Sequence, residues 1–236
     1  VVVFDKGRGI GGRVATRRAG DLQFDHGAPF VRAQRDDFSA LLASLTVDGS
    51  AVPWTDDKGV TWTFGSPGMS AIPKAMGVGL DVRLGTQILK VNANQSGWHL
   101  HYDETEYVAT HIVVTVPKPQ IAGLLGYTHP LIPQIADVKM EPGLTLMATV
   151  TGTTPSITPF LSDDPLALIT CDSSKPNRPL NESSSWVAQA GTEFSVTHLE
   201  KNLPDIAALM LPLLCERLDA TLGRITHAVA HRWRYS

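Results

Sequence analysis

The chain opens on Val1-Val2-Val3-Phe4-Asp5, a β-branched apolar run closed by an acid, which is the pattern of a buried strand. Asp36 to Leu45 places Phe38, Leu41, Leu42 and Leu45 at spacings of three and four and predicts a short helix, with Asp36 or Asp37 as its cap. Residues 51–64 read as two strands carrying Trp54, Trp62 and Phe64 around the turn Asp56-Asp57-Lys58-Gly59. Ser66-Pro67-Gly68-Met69 opens a helix predicted to run to Met76 and to end at Gly77 and Gly79.

A meander follows. Asp81–Leu84 and Gln87–Val91 precede Trp98–Tyr102, where Trp98, Leu100 and Tyr102 alternate with His99 and His101 as in a half-buried antiparallel strand. Ile112–Val116 is almost wholly apolar and predicts a strand buried on both faces, with a helix over Pro117–Leu125 behind it. Residues 144–150, 166–170 and 186–190 predict further strands. Ile206, Leu209, Met210, Leu213, Leu214, Leu218 and Leu222 form one apolar helical stripe, with Pro212 inside it as the expected kink. Buried strands, a meander and helices together indicate a mixed α/β or α+β fold.

Composition adds exclusions. The 236 residues are 43% hydrophobic and 18% charged, with a net charge of −3. This is ordinary globular protein, long enough to bury a core, with no support for nucleic-acid binding. Two cysteines, Cys171 and Cys215, make neither a disulfide framework nor a metal site. No stretch approaches a membrane span and no signal-peptide pattern opens the chain, so a cytoplasmic protein is expected.

Charge changes the picture locally. In residues 1–18, Lys6, Arg8, Arg13, Arg17 and Arg18 stand against the single acid Asp5. They frame a loop with Gly7, Gly9, Gly11 and Gly12. Glycines let backbone N–H groups approach phosphate oxygens, and arginines supply forked donors. An acid at a strand end suits the two hydroxyls of a ribose. A surface loop with solvated arginines is the competing reading, and the residues alone leave both open. The match Gly7-x-Gly9-x-x-Gly12 follows the acid rather than preceding it, so it is not the first-strand dinucleotide fingerprint.

The segment Val3 to Arg18, read as VFDKGRGIGGRVATRR, resembles the second conserved block of FAD-dependent amine-oxidase-like flavoproteins, and more closely the bacterial renalase-like branch. Further blocks of that branch recur in order. They are Phe24-Asp25-His26-Gly27-Ala28, Pro67-Gly68-Met69-Ser70-Ala71-Ile72-Pro73-Lys74, Val114-Thr115-Val116-Pro117-Lys118-Pro119-Gln120, Ser173-Ser174-Lys175-Pro176 and His231-Arg232-Trp233-Arg234-Tyr235. The resemblance implies an FAD/NAD(P)-binding Rossmann-like domain with an antiparallel-sheet substrate layer. It assigns 1–50 and 68–125 to the FAD-binding part, 51–67 and 126–230 to the substrate-binding part, and 231–236 to a strand returning to the FAD domain. It implies FAD as cofactor, held by Asp5 at the ribose, by Lys6, Arg8, Gly11, Gly12, Arg13 and Thr16 along the diphosphate and flavin, by Pro67, Gly68 and Met69, and by the backbone of Ile88 at the adenine. The substrate class it implies is an electron-rich small molecule, an isomeric dihydronicotinamide or an amine, oxidised by hydride transfer with O2 as acceptor.

The resemblance also implies a fragment. Relatives of this kind carry a strand, a G-x-G-x-x-G turn and a helix ahead of the position of Asp5, and a glycine-aspartate block after that of Tyr235. The competing class is therefore a truncated, non-enzymatic chain that keeps the fold pattern but does not hold FAD. His26 is the candidate catalytic residue, set against an ordinary packing histidine. His99 and His101 share a strand face without further ligands and read as solvent-exposed. Lys74 and Lys175 read equally as surface or pocket residues. Trp186, Trp233 and Tyr235 read as core aromatics or as a wall for a planar substrate.

Overall fold

A computed structural model describes residues 1–56, 58–153, 156–163, 165–178 and 182–236. Among them the strands and helices run, in chain order, β1 (Val2–Asp5), β2 (Thr16–Ala19), β3 (Leu22–Asp25), α1 (Asp36–Val47), β4 (Ala51–Thr55), β5 (Thr61–Gly65), α2 (Ala71–Met76), β6 (Asp81–Leu84), β7 (Lys90–Asn94), β8 (Gly97–Tyr102) and β9 (Thr105–Ala109). They continue with α3 (Lys118–Leu125), α4 (Leu131–Gln134), β10 (Gly143–Thr151), β11 (Phe160–Leu161), β12 (Leu166–Cys171), β13 (Ser183–Ala190), α5 (Thr192–His198), α6 (Leu203–Arg217) and β14 (Ile225–Trp233). The fold is mixed α/β, as expected. No helix among the described residues is long and apolar enough to cross a membrane.

The described residues divide into two units. The smaller comprises Val1–Ile10, Gly79–Met140 and Tyr235. In it β1 and β6 pair in parallel, from Val2 opposite Asp81 to Asp5 opposite Leu84. Phe4 packs on Tyr102 and Tyr107, each at 5.4 Å between ring centroids, and the Arg83 guanidinium lies over Phe4 and Tyr107. The second sheet is the antiparallel meander β7-β8-β9. His99 and His101 are half-buried on it rather than exposed. Glu106, from the neighbouring strand, meets His99 Nδ1 at 2.9 Å, and Asn92 Oδ1 lies 2.7 Å from His101 Nε2.

The larger unit comprises Gly11–Val78, Glu141–Arg234 and Ser236. Its centre is a five-stranded antiparallel sheet ordered β11-β12-β13-β10-β14. β10 is buried almost end to end, and its alternation serves two cores at once. Leu144, Leu146, Ala148 and Val150 pack with Ile206, Met210 and Leu214 of α6 on one face. Met147 packs with Phe24 of β3 and Val187 of β13 on the other. A third cluster joins α1 to the segment after β5 through Leu42, Leu45, Ala51, Met69 and Ile72.

Several expectations are corrected. Ile112–Val116 is not a strand: the segment is irregular, and Val113 is 90% exposed. An apolar run becomes a strand only where a ladder partner accepts its backbone, and no described strand pairs with it. Strand Gln87–Val91 begins later, at Lys90. The helix expected from Ser66 starts at Ala71, because residues 66–70 are held in an irregular loop. Helix α1 has Arg35 at its N-cap and no side-chain cap there; Asp37 instead accepts from Phe38 N–H and pairs with Arg35. In α6 the buried stripe is Ile206, Ala207, Met210, Leu214 and Cys215, while Leu209 is exposed and Leu222 lies beyond the helix. Pro212 sits on the exposed side of α6, where water can serve the carbonyl left without its usual N–H partner, and the helix continues through it. The hairpin β2-β3 was not anticipated. Of the turn after β4, Asp57 lies outside the described residues. Asp56 organises the rest, accepting from Lys58 and Val60 N–H and from Trp62 Nε1.

Candidate functional site

In the smaller unit, Asp5 ends β1 at the carboxyl edge of the parallel pair, the edge at which open α/β sheets bind ligands. Its Oδ1 accepts the Gly7 N–H at 2.7 Å, and its Oδ2 has no hydrogen-bond partner among the described residues. The strand ends are stitched by Thr86 N–H to the Asp5 carbonyl at 3.0 Å and Gly85 N–H to the Gly7 carbonyl at 2.9 Å. Gly7 has little spare room, since a Cβ there would stand 3.1 Å from Asp5 Oδ1. Ile88 is half-buried in the irregular stretch between β6 and β7. Lys6 and Arg8 are exposed.

In the larger unit, Gly11 and Gly12 adopt φ of 153° and 50°, which glycine accepts without a Cβ clash, and a short 3-10 turn, Gly12–Val14, carries the exposed Arg13. That turn is fixed from behind. Ala28 N–H donates to the Arg13 carbonyl at 2.8 Å, and a Cβ on Gly27 would lie 2.1 Å from the same oxygen.

Thr16, Pro67, Gly68 and Met69 are brought together around a residue that sequence reasoning did not single out, Asp25 at the end of β3. Asp25 is wholly buried. Its Oδ1 accepts the Thr16 hydroxyl at 2.7 Å and the Met69 N–H at 2.9 Å. Its Oδ2 faces Lys175 Nζ at 3.0 Å and Arg178 Nη2 at 2.5 Å. Lys175 also pairs with Asp172, whose Oδ2 accepts the Asp25 backbone N–H. The cluster sets two acids against two bases.

Burial pushes the Asp25 carboxyl upward. The charges of Lys175 and Arg178, with the Met69 and Thr16 hydrogen bonds, outweigh it and hold the group below the usual carboxylate range. Asp172 goes the other way: burial raises it, and the neighbouring Asp25 charge adds to the rise. Lys175 is thus a buried ion-pair residue, whereas Lys74 is exposed.

The 67–70 segment is pinned at several further points. Gln23 Nε2 donates to the Pro67 carbonyl at 2.5 Å, and Arg178 Nη1 reaches the Pro67 carbonyl and, at 3.1 Å, that of Gly65. Ser70 N–H donates to Thr16 Oγ1 at 3.0 Å. Gly68 leaves no space for a side chain, because a Cβ would stand 2.7 Å from Thr16 Oγ1. The Met69 side chain is buried in the α1 cluster. Side chains of Thr16 and Met69 therefore face inward, Gly68, Met69 and Ser70 are buried, and Pro67 is the exposed residue of the segment.

His26 follows Asp25 and is 8% exposed. Its ring stacks on Trp233 with centroids 5.2 Å apart and meets His231 edge-on at 4.8 Å, and Trp233 Nε1 donates to the His26 carbonyl at 3.1 Å. Its Nδ1 is buried and has no hydrogen-bond partner among the described residues. Burial, with repulsion from His231 and Arg17, lowers His26 to about 4, and burial with Arg17 lowers His231 as well. Both rings are neutral at neutral pH. Trp186 is core, 1% exposed, with Nε1 bonded to Thr153 Oγ1. No group of three or more His, Cys, Asp or Glu among the described residues is arranged to hold a metal ion.

The signal for the Asp25 cluster was present but unread. Asp172, Lys175 and Arg178 are spaced by three in Cys171-Asp172-Ser173-Ser174-Lys175-Pro176-Asn177-Arg178, a short charged cluster following a strongly apolar strand.

Residues 1–45 match the NAD(P)-binding Rossmann-like domain model, and residues 49–146 match the model of flavin containing amine oxidoreductases. Among solved structures, the fold is similar to a putative protoporphyrinogen oxidase from Exiguobacterium (18% identity, TM-score 0.57, covering 75% of this chain and 41% of that one). It is similar also to cyclohexylamine oxidase from Brevibacterium oxydans (15% identity, TM-score 0.54, 74% and 40%). A Pyrococcus furiosus protein matches over 100% of this chain and 82% of its own length, at 11% identity and TM-score 0.64. The chain thus spans about two fifths of the length of the two oxidases.

Proposed function

We propose that this chain belongs to an FAD-dependent oxidoreductase of the amine-oxidase type, renalase-like in its branch. The observation that carries this reading is Asp5: a half-buried carboxylate at the carboxyl end of a parallel strand, steadied through one oxygen by Gly7 N–H, with the other oxygen unpartnered. That is the donor-accepting geometry a ribose diol requires. The adjacent matches to a Rossmann-like nucleotide-binding model and a flavin containing amine oxidoreductase model support it.

The residues present fit the cofactor. Asp5 accepts the ribose hydroxyls. Gly11 and Gly12 present backbone where a side chain would obstruct, and Lys6, Arg8 and Arg13 are exposed cations suited to a diphosphate. Pro67, Gly68 and Met69 form a pinned segment of which Pro67 is exposed to a ligand, and the Ile88 backbone serves the adenine. Bound FAD would supply hydride-accepting chemistry, and the protein's share is orientation and electrostatics. His26, buried and neutral, does not act as a standing cation, and as the candidate catalytic residue it would serve as a neutral ring. The substrate class is an electron-rich small molecule, an isomeric dihydronicotinamide ahead of an amine, with O2 reoxidising the system. The FAD-binding role falls to 1–50 and 68–125, the substrate role to 51–67 and 126–230, and 231–236 returns to the FAD part.

The test is titration of the protein with FAD, followed by flavin fluorescence. Asp5→Ala removes a charged acceptor worth ~1.5–3 kcal/mol, so its affinity falls roughly 10- to 150-fold. Unchanged affinity in Asp5→Ala, or no binding by the parent protein, overturns the reading. Anaerobic bleaching of the bound flavin by isomeric dihydronicotinamides, and not by amines, separates the two substrate classes.

A further inference from the structure

The donors on the two oxygens of Asp25 come from different places. Those on Oδ2, Lys175 and Arg178, belong to one turn after β12. Those on Oδ1 belong to the start of β2 and to the segment before α2. Asp25 is therefore a coupling piece whose orientation is set on one side and used on the other. Arg178 also bypasses it, gripping the Gly65 and Pro67 carbonyls with the nitrogen not facing Asp25. Thr16 commits its only hydroxyl proton to Asp25 and accepts from Ser70, so three consecutive groups (Ser70 N–H, Thr16 O–H and the Asp25 carboxylate) are polarised in one direction.

We infer that Arg178 and Lys175 are positioning residues: acting through Asp25, and in the case of Arg178 also directly, they fix the backbone of Pro67–Ser70 in one conformation and so set the placement of the exposed Pro67. The geometry stands by itself, and only a role for this segment in holding FAD rests on the function proposed above. Simple charge neutralisation of Asp25 is the competing account, and the two differ in what Arg178 must be. A lysine at 178 would neutralise a carboxylate, but it has no planar fork with which to hold a carboxylate and two carbonyls together.

The experiment is amide hydrogen exchange, read residue by residue, in Arg178→Lys and in Gln23→Leu, the latter removing a neutral tether on the same Pro67 carbonyl. Positioning predicts that exchange at Met69 and Ser70 accelerates about tenfold or more in both variants, the scale of one charged hydrogen bond. Amides of β10 and β13 keep their protection. If Met69 and Ser70 exchange as slowly as in the parent, or speed up only in step with β10 and β13, the inference is overturned. Gln23→Leu keeps the test decisive should the Arg178 variant fail to fold. Titrating the same samples with FAD separates the two proposals. Loosened Met69 and Ser70 with unaltered FAD affinity would leave the positioning role standing and remove the flavin from this segment.

Discussion

His26 and Asp25 are neighbours in sequence, yet their surroundings select opposite charge states: Asp25 is buried against two cations and stays ionised, while His26 is buried against Arg17 and His231 and stays neutral. The consequence for stability has a definite sign. The folded value of His26, about 4, lies below its ordinary 6.5, so the unfolded chain binds the proton first. Above 6.5 both states are neutral and the stability is complete. It declines as pH falls from 6.5 to about 4, by roughly 3 kcal/mol in all. His26→Phe keeps a ring against Trp233 and removes this proton, so urea unfolding at pH 6.5, 5.5 and 4.5 should show a shallower decline in the variant; parallel slopes would mean that His26 is charged in the folded protein. At this scale the sequence is only partly legible. The acid at position 5 and the glycines after it are readable because their roles depend on local backbone. Lys175 was undecidable and Asp25 passed over, because a buried charge is recognised by its partners, which lie some 150 positions away.

At the scale of elements, apolar strands with partners were readable and strands defined by their partners were not. Residues 144–150, an apolar and threonine-rich run, predict a strand, and β10 is buried at all seven of these positions. Ile112–Val116 carries the same signal and forms no strand, because pattern reports what a segment would bury and not whether a ladder awaits it. Conversely Thr16-Arg17-Arg18-Ala19 has no strand signature and becomes β2 through its pairing with Leu22–Asp25. This hairpin and the turn before it are locked by a close approach at Gly27, where the Arg13 carbonyl occupies the place of a Cβ. Gly27→Ala is therefore expected to cost about 1–3 kcal/mol by overpacking against backbone that cannot rotate aside. Chemical denaturation would measure it. Gly12→Ala provides the contrast, for its Cβ meets nothing within 4 Å and its cost comes only from a φ of 50°; equal losses in the two would argue against the steric account.

Across the whole molecule, buried apolar side chains are distributed unequally. The larger unit holds three clusters on and around the five-stranded sheet, whereas in the smaller unit only Val91 and Leu124 are buried hydrophobics. Local stability follows burial, so hydrogen exchange should be slowest in β10, β13 and α6 and faster throughout β6 to β9. Uniform protection in the two units would contradict this. The mixed α/β class was legible from the alternation of patterns along the chain; an interleaved division came only with the family resemblance, because pattern carries no information on which distant segments meet. The strand order β13-β10-β14 has a further consequence, for a chain made from its N-terminus. β10 has its first neighbour once Ala190 is available, but its second, β14, begins only at Ile225. Throughout that interval of synthesis the nascent protein presents an apolar strand with one open side. An intermediate that has β13 but not β14 thus carries a row of unpaired backbone groups along β10, and pairing with β14 removes it.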